Sequence, residues 1–343
     1  DALSAYYLCA NRNKRSLTLD LKRAEGQQIA RALAAQAQVV IENFKPGGMA
    51  SFGLDYDTLR AENPALVYCS ITGFGQTGPY AARPGYDFII QAMSGLMSIT
   101  GPAEGAPHKV GVAVTDVFAG LFALASILAA LRHAEQTGVG QQLDVSLLDS
   151  SLAALVNVAS NALVSGETAA RYGNAHPNIV PYQTFEAVDG AFALGVGNDR
   201  QFAALCAIIG KPTLADDPRF ATNPARVEHR EHLTAELAAI FRTRPARAWV
   251  DACLAQDIPC GPLNDVQTIL HDAHVRARGL VQQIALDNGV AAEIVGMPVR
   301  FSETPPLVNL PPPLHGAHTH EVLAEWLGLS RLEIDDLASS GVI

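Results

Sequence analysis

Asp116 is the residue whose type and setting most invite chemistry. It stands in Gly-Val-Ala-Val-Thr-Asp-Val-Phe-Ala-Gly (111–120), where a loop enters the most apolar stretch of the chain. Two readings of a carboxylate there stay open. It caps the helix, accepting from N–H groups that lack an intrahelical partner. Alternatively it is a nucleophile beside an apolar wall, with helix amides on hand to stabilise an oxyanion. Spacing does not choose between them.

Other candidate motifs are weaker. Residues 73–78, Gly-Phe-Gly-Gln-Thr-Gly, follow an apolar run and match a dinucleotide fingerprint in letters. That fingerprint needs a helix to begin there and an acidic residue about 20 positions on. Pro79 and Arg-Pro-Gly (83–85) follow instead, so a glycine turn is the expectation. His315, His318 and His320 lie close together, with no carboxylate at ligand spacing apart from Glu321, which starts a helix, so no metal is expected. Cys260, in Ile-Pro-Cys-Gly-Pro (258–262), has no nearby His to activate it and reads as a turn residue.

The elements that must position Asp116 alternate. Residues 17–21 alternate like a short strand, 25–36 are helical with Ile29 and Leu33 inward, and 39–41 form a buried strand. A helix over 56–61, a strand over 65–71, a long apolar helix over 117–135 and a strand through Leu143, Val145 and Leu147 follow. Helix returns over 148–164. The long helix ends at Thr-Gly-Val-Gly (137–140), a glycine C-cap signal. Alternation of this kind predicts an α/β fold with a doubly wound parallel sheet. The Gly-, Asn- and Pro-rich stretch 165–181 marks a boundary. Domains are therefore expected at 1–165 (large), 166–257 (a smaller α/β domain) and 258–343 (a return to the large one). The smaller domain carries a strand at 192–196 and helices at 201–209 and 230–241. A strand-like 291–298, a Pro-rich stretch and an amphipathic helix Thr319–Leu327 close the chain.

Composition narrows the partners. The chain has 343 residues, 49% hydrophobic and 17% charged, with a net charge of −10 and no basic run longer than two. That excludes a solvating disordered chain and makes a nucleic-acid partner unexpected. The uncharged stretch 117–131 falls short of the about 20 residues of a membrane span and reads as a buried helix. Five scattered cysteines fit a reducing, cytoplasmic setting.

Seven segments in order resemble the family III CoA-transferases, the formyl-CoA and carnitine CoA-transferase family. They are Asn-Arg-Asn-Lys-Arg-Ser-Leu-Thr-Leu-Asp-Leu-Lys (11–22), Val-Ile-Glu-Asn-Phe-Lys-Pro-Gly (40–47), Thr-Gly-Phe-Gly-Gln-Thr-Gly-Pro (72–79), Arg-Pro-Gly-Tyr-Asp (83–87), 111–120, Thr-Gly-Val-Gly-Gln (137–141) and 258–262. The resemblance implies a nucleophilic Asp116 that forms an aspartyl anhydride and then an aspartyl-CoA thioester. Coenzyme A is then a substrate, with no permanently bound cofactor, and the partners are an acyl-CoA and a carboxylic acid. It also implies an interlocked homodimer.

For CoA, it points to Leu19, Lys22, Asn43, Phe44, Lys45, Gly85, Tyr86 and Asp87. Ser51 stands where relatives often place an Arg. The segment 174–183, with His176 and Tyr182 facing an acyl carboxylate, looks like that of members handling succinyl-CoA and small dicarboxylates. Racemases of the family carry a His in the slot of Tyr86 and a Glu near that of Asn198, so transfer is favoured over racemisation. A non-catalytic CoA-binding relative is the other alternative. Members open with a strand–helix–strand unit of about 30 residues or more, so the resemblance implies a segment ahead of residue 1.

Overall fold

The computed structural model describes residues 3–286 and 289–343. They form two compact units, treated separately below. The first contains the residues up to Leu96, Val110–Ser160 and Leu270–Ile343; the second contains Met97–Lys109 and Asn161–Ile269.

In the first unit, helix α1 (Ala24–Gln36) leads into strand β1 (Val39–Glu42), helix α2 (Tyr56–Glu62) and strand β2 (Val67–Thr72). Helix α3 (Asp87–Met93), helix α4 (Val114–Thr137), strand β3 (Gln142–Ser146) and helix α5 (Leu147–Ala154) follow. Helix α6 (Val156–Ser165) runs across the division between the units. The strands form a parallel sheet in the order β1-β2-β3, with Val39 opposite Val67 and Cys69 opposite Leu143.

Each sheet face has its own apolar cover. Tyr68 and Leu66 pack with Ala34, Leu54 and Leu59 on one side, and Val67, Cys69 and Val145 pack with α4 on the other. That pattern suits the central strand of a parallel sheet, whose residues are apolar on both faces. The buried stripe of α4 is Ala119, Ala123, Ile127, Ala130 and Ala134, four alanines and one isoleucine at helical spacing, and the alanines let the helix lie close to the strands. Gly138 ends it in a left-handed turn (φ 73°), as the glycine signal predicts. Two residues on, the chain presses against the Leu66 carbonyl so closely that a Cβ on Gly140 would lie 2.0 Å from that oxygen. Only glycine fits there.

Three expectations about local elements and burial differ from the structure. Residues 17–21 form no strand. Backbone N–H groups of residues 16–20 are satisfied elsewhere, with Ser16 N–H on His318 Nδ1 (3.1 Å), Thr18 N–H on Thr319 Oγ1 (3.1 Å) and Asp20 N–H on the Val342 carbonyl (2.7 Å). The alternating Leu17, Leu19 and Leu21 instead line an apolar cavity of about 570 Å³ with Val40 and Trp326. The helix expected over 148–164 is two helices, broken where Val156 takes φ 40°. Helix α4 is also not a buried helix. It buries its alanine stripe and leaves Val117, Leu121, Phe122, Leu124 and Leu128 exposed. It is long and apolar enough to cross a membrane by length and composition, although only 22% of its most apolar window is buried within the chain.

The second unit holds strands β4 (Tyr182–Glu186) and β5 (Ala191–Gly195), helices α7 (Asp199–Ile208), α8 (Arg230–Phe241) and α9 (Ala246–Leu254), and strand β6 (Cys260–Pro262). Its sheet is antiparallel, ordered β4-β5-β6. Residues 258–269, expected with the large domain, group here because β6 pairs with β5. Met97–Lys109 joins it as well, held by Arg171, which donates to the carbonyls of Ser98, Pro102 and Gly105. The core stacks Phe185 and Phe192 on Phe241, whose carbonyl accepts from Trp249 Nε1 (2.8 Å).

After this unit the chain returns to the first with a hairpin, β7 (Val281–Ala285) and β8 (Ala291–Val295), and with helices α10 (Thr319–Leu327) and α11 (Arg331–Ser339). Leu323 and Ile334 of these last two helices, with Val342 beyond them, pack in one cluster with Ile29 of α1.

Arg226 is the polar anchor of the second unit. Its side chain is wholly buried, with Nε on the Val180 carbonyl (2.7 Å), Nη1 on the Phe220 carbonyl (2.8 Å) and Nη2 on Asp199 (2.8 Å). Phe202 lies beneath the guanidinium, 4.4 Å from it to the ring centroid. Removing the fork leaves two buried carbonyls without donors. Arg226→Ala is therefore expected to destabilise this unit by about 3 kcal/mol. Arg226→Lys recovers only part, since one ammonium cannot reproduce the fork. Urea midpoints followed by Trp249 fluorescence in a Trp326→Phe background check both.

Candidate active site

The carboxyl ends of the parallel strands carry most of the candidate residues of the first unit. In open α/β sheets that edge is where ligands bind. Asn43 follows β1, and its Nδ2 donates to the Ile71 carbonyl at the end of β2 (2.7 Å). Phe44 is half exposed, with its N–H on Glu42 and its ring edge-on to Phe52 at 6.0 Å. The Lys45 carbonyl accepts from Gly48 N–H in the turn that follows (2.8 Å). Here the Ser51 hydroxyl donates to the Gly48 carbonyl (2.7 Å).

The glycine loop after β2 starts no helix, as expected. Gly75 N–H bonds Thr72 Oγ1 (2.9 Å), and Gln76 N–H bonds both carboxylate oxygens of Asp144 (2.9 and 3.1 Å). An amide already on a protein carboxylate has nothing to offer a pyrophosphate, which closes the dinucleotide reading. The loop serves a different purpose. A Cβ on Gly73 would lie 2.7 Å from Gly85 Cα, so two glycines let this loop and the 83–87 segment touch backbone to backbone. Gly85 thereby sets Tyr86 and Asp87 at the start of α3. Tyr86 is 79% exposed, its ring free of the core.

Asp87 carries the centre of the site. Its Oδ1 accepts both the N–H (2.9 Å) and the hydroxyl (2.8 Å) of Thr115, in the first turn of α4. Its Oδ2 accepts Nε2 of Gln91, one turn along α3 (2.8 Å). Gln91 is fully buried and spends its other groups on the loop leading to α4, with Oε1 on Val110 N–H (2.8 Å) and Nε2 also on the Val112 carbonyl (3.3 Å). Two side chains of α3 thus fix both the approach and the first turn of α4.

This corrects the capping alternative for Asp116. The N-cap position is Ala113, which offers no side-chain cap, and the capping carboxylate belongs to Asp87. Asp116, in the first turn, is exposed and its carboxylate makes no hydrogen bond or ion pair among the described residues. The neighbouring protein still acts on it. Desolvation first, and then the like charge of Asp87, push its carboxyl above the usual pKa. The early amides of α4 are partly committed, with Thr115 N–H on Asp87 and Val114 N–H on the Val112 carbonyl (2.8 Å). Those two are not free for an oxyanion.

The remaining candidates lie apart from this constellation. Leu19 lines the apolar cavity beside β1, and Lys22 is exposed, its N–H on Asp20 (2.9 Å). His176 and Tyr182 belong to the second unit, where their rings pair at 5.3 Å. His176 Nδ1 accepts from Asn178 N–H (3.1 Å), leaving Nε2 as the site for a proton. Tyr182 lines a cavity of about 380 Å³ in that unit. Asn198, in the slot near which racemases carry a Glu, is the N-cap of α7, its side chain accepting from Gln201 N–H (2.9 Å).

Sequence reading missed Thr115, Gln91 and Asp144. Only Gln91 left a trace, the four-residue step from Asp87 that joins side chains on one helix face.

Comparison with known proteins assigns the molecule. The chain is 47% identical over 328 residues to a succinate–glutarate CoA-transferase of Agrobacterium fabrum, covering 96% of this chain and 82% of that one. It is 42% identical over 340 residues to a succinyl-CoA:glutarate CoA-transferase of Mus musculus, covering 99% and 78%. A crystal structure of a CAIB/BAIF family protein from Brucella suis superposes with a TM-score of 0.84 at 44% identity, over 94% of this chain and 84% of that one. The model of CoA-transferase family III matches residues 1–319. The chain therefore belongs to CoA-transferase family III, and is an enzyme that moves coenzyme A from an acyl-CoA thioester to a carboxylic acid.

Proposed function

We propose that this enzyme exchanges CoA between succinyl-CoA and a small dicarboxylate of the glutarate class, with Asp116 as the covalent nucleophile. The observation that carries the role of Asp116 is its free carboxylate, held on a helix start that a different carboxylate caps. A carboxylate with a raised pKa is more basic and hence a better nucleophile. The dicarboxylate class is supported by the names of the similar transferases.

Four displacements complete the exchange. The Asp116 carboxylate attacks the thioester carbonyl, the C–S bond breaks, and CoA leaves as thiolate from an aspartyl–acyl anhydride. The thiolate attacks the aspartyl carbonyl, releasing the donor acid and forming an aspartyl-CoA thioester. The acceptor carboxylate then displaces CoA from that thioester, making a second anhydride. CoA thiolate finally attacks the acceptor's acyl carbon, regenerating Asp116. No proton need be moved, which suits a site without a paired base. The N-cap duty of Asn198 and the phenol at Tyr86 favour transfer over racemisation, which needs a base on each face of the α-carbon.

In this reading Asn43, Phe44, Lys45, Gly85, Tyr86 and Asp87 border the CoA site, Leu19 and Lys22 extend it, and His176 and Tyr182 meet the distal carboxylate. Lys22 and Lys45 supply the charge for phosphates, Phe44 and Tyr86 exposed faces for the adenine. The cysteines are all free, in keeping with a cytoplasmic enzyme. The first unit is the core of a doubly wound domain. The exposed apolar side of α4 is covered by a second copy of the chain in an interlocked homodimer, because an open row of Val117, Leu121, Phe122, Leu124 and Leu128 is too apolar to leave in water.

Asp116→Ala is expected to lower transfer from succinyl-CoA to glutarate by about a thousandfold or more. It should also abolish the hydroxylamine adduct that wild type acquires on Asp116 during turnover; an adduct on another residue, or retained exchange, would reassign the nucleophile. Asp87→Asn keeps an acceptor for Thr115 and removes the like charge, so the Asp116 pKa should fall while the share due to burial remains. The acid limb of kcat/KM is then expected at lower pH than in wild type, read from a pH–rate profile. Leu121→Glu with Leu128→Glu should halve the mass found by light scattering; an unchanged mass would place the subunit contact elsewhere.

A further inference from the structure

The loop that delivers Asp116 is thinly packed. It runs from Val110, where the chain re-enters the first unit, to the start of α4. Within it Val112 is 64% exposed, and a Cβ on Gly111 would meet nothing within 4 Å. Side-chain contacts therefore do little to fix the loop at these two residues. A buried amide does more. Gln91 is fully buried on α3, beside Ile90, which shares one apolar cluster with Ala119 and Ala123 of α4. From that fixed base its Oε1 accepts Val110 N–H (2.8 Å), and its Nε2 donates to the Val112 carbonyl (3.3 Å). The same carbonyl takes Val114 N–H in the first turn of α4 (2.8 Å). Nε2 also donates to Asp87 Oδ2 (2.8 Å), while Asp87 Oδ1 holds Thr115. The cluster thus uses both donors of the amide and its acceptor, a set that glutamine supplies from one planar group.

With Asp116 read as the nucleophile, we propose that Gln91 is a positioning residue for the transfer reaction: it clamps the 110–112 loop to Asp87 and so aims the Asp116 carboxylate at the thioester carbonyl. Gln91 acts through the loop and through Asp87, since its own side chain is shut away from any substrate. A nucleophile set about 1 Å off its line of attack loses on the order of a hundredfold in rate. Thr115 fixes the first turn of α4 to Asp87, and Gln91 fixes the residues just before that turn. Held on both sides, the carboxylate of Asp116 keeps one direction. Without the amide, Val110 N–H and Asp87 Oδ2 each lose a partner, and the thinly packed loop has other positions open to it.

The full chain is compared with Gln91→Leu and Gln91→Glu in exchange between succinyl-CoA and glutarate, with the folded fraction read by circular dichroism at each pH. Gln91→Leu keeps the bulk and removes all three bonds. Its kcat per folded enzyme is expected about a hundredfold below wild type, with KM for succinyl-CoA little changed. Gln91→Glu separates positioning from stability within one protein. Its new carboxyl lies beside the Asp87 carboxylate, so the two share a proton whose pKa is raised. Below that pKa the neutral acid donates to Asp87 and accepts from Val110, and the ratio of its kcat to that of wild type stays high. As pH rises through it the proton is lost and the like charges part. The ratio then falls toward that of Gln91→Leu while the chain remains folded. A ratio that is flat with pH, or a loss that only follows the folded fraction, would overturn the proposal. Hydroxylamine labelling of wild type during turnover keeps the two questions apart. With the adduct on Asp116, wild-type kcat in Gln91→Leu removes the clamp alone; an adduct elsewhere removes the nucleophile and the clamp with it.

Discussion

The Asp87 carboxylate holds together everything that makes Asp116 available. One oxygen takes two donors from Thr115, and the other takes the amide of a buried glutamine whose remaining groups fix the loop into α4. A carboxylate with its acceptor sites filled by protein donors is an anchor. Its neighbour, on the same helix start and without partners, keeps its lone pairs for a reacting carbon. The arrangement divides capping and chemistry between two aspartates. Their mutual repulsion adds to desolvation in keeping the free one more basic than a solvated carboxylate.

Around that anchor, close backbone contacts replace side-chain packing. Gly73 on Gly85 brings the α3 start against the end of β2, and Gly140 on Leu66 brings the α4–β3 connection against the start of β2. Alanines on α4 do the same between helix and sheet. The first of these contacts suits a site at the strand ends, since it sets the loop after β2 against the segment that carries Tyr86; the second closes the opposite edge of the sheet. The large side chains of α4 are displaced to the opposite face, where a single chain leaves them open. One helix therefore faces two masters, the sheet through alanine and another surface through leucine, valine and phenylalanine. The second unit is built differently, around a phenylalanine–tryptophan stack and one buried arginine fork.

Much of the α/β order was legible because hydrophobic period and glycine punctuation are local. The strands at 39–41 and 65–71, the α4 C-cap and the Thr319–Leu327 helix came from neighbouring letters alone. The capping box of α11, Ser330 with Glu333, was equally local and was passed over. Residues 17–21 misled for the opposite reason. Alternation reports which side chains face an apolar space, and the partner there was the C-terminal end of the unit rather than a strand.

The sequence by itself determined the family, through seven ordered motifs, and with it the reaction. It also singled out Asp116 and Asp87 without dividing the work between them. Only tertiary structure decided that division, because the hydrogen bonds of Asp87 reach Thr115 across 28 positions and those of Gln91 reach Val110 across 19. It decided as well that the glycine loop spends an amide on Asp144, 68 residues on. Motif and period are properties of neighbours along the chain, whereas a carboxylate's partners are set by which loops the sheet brings to the same edge.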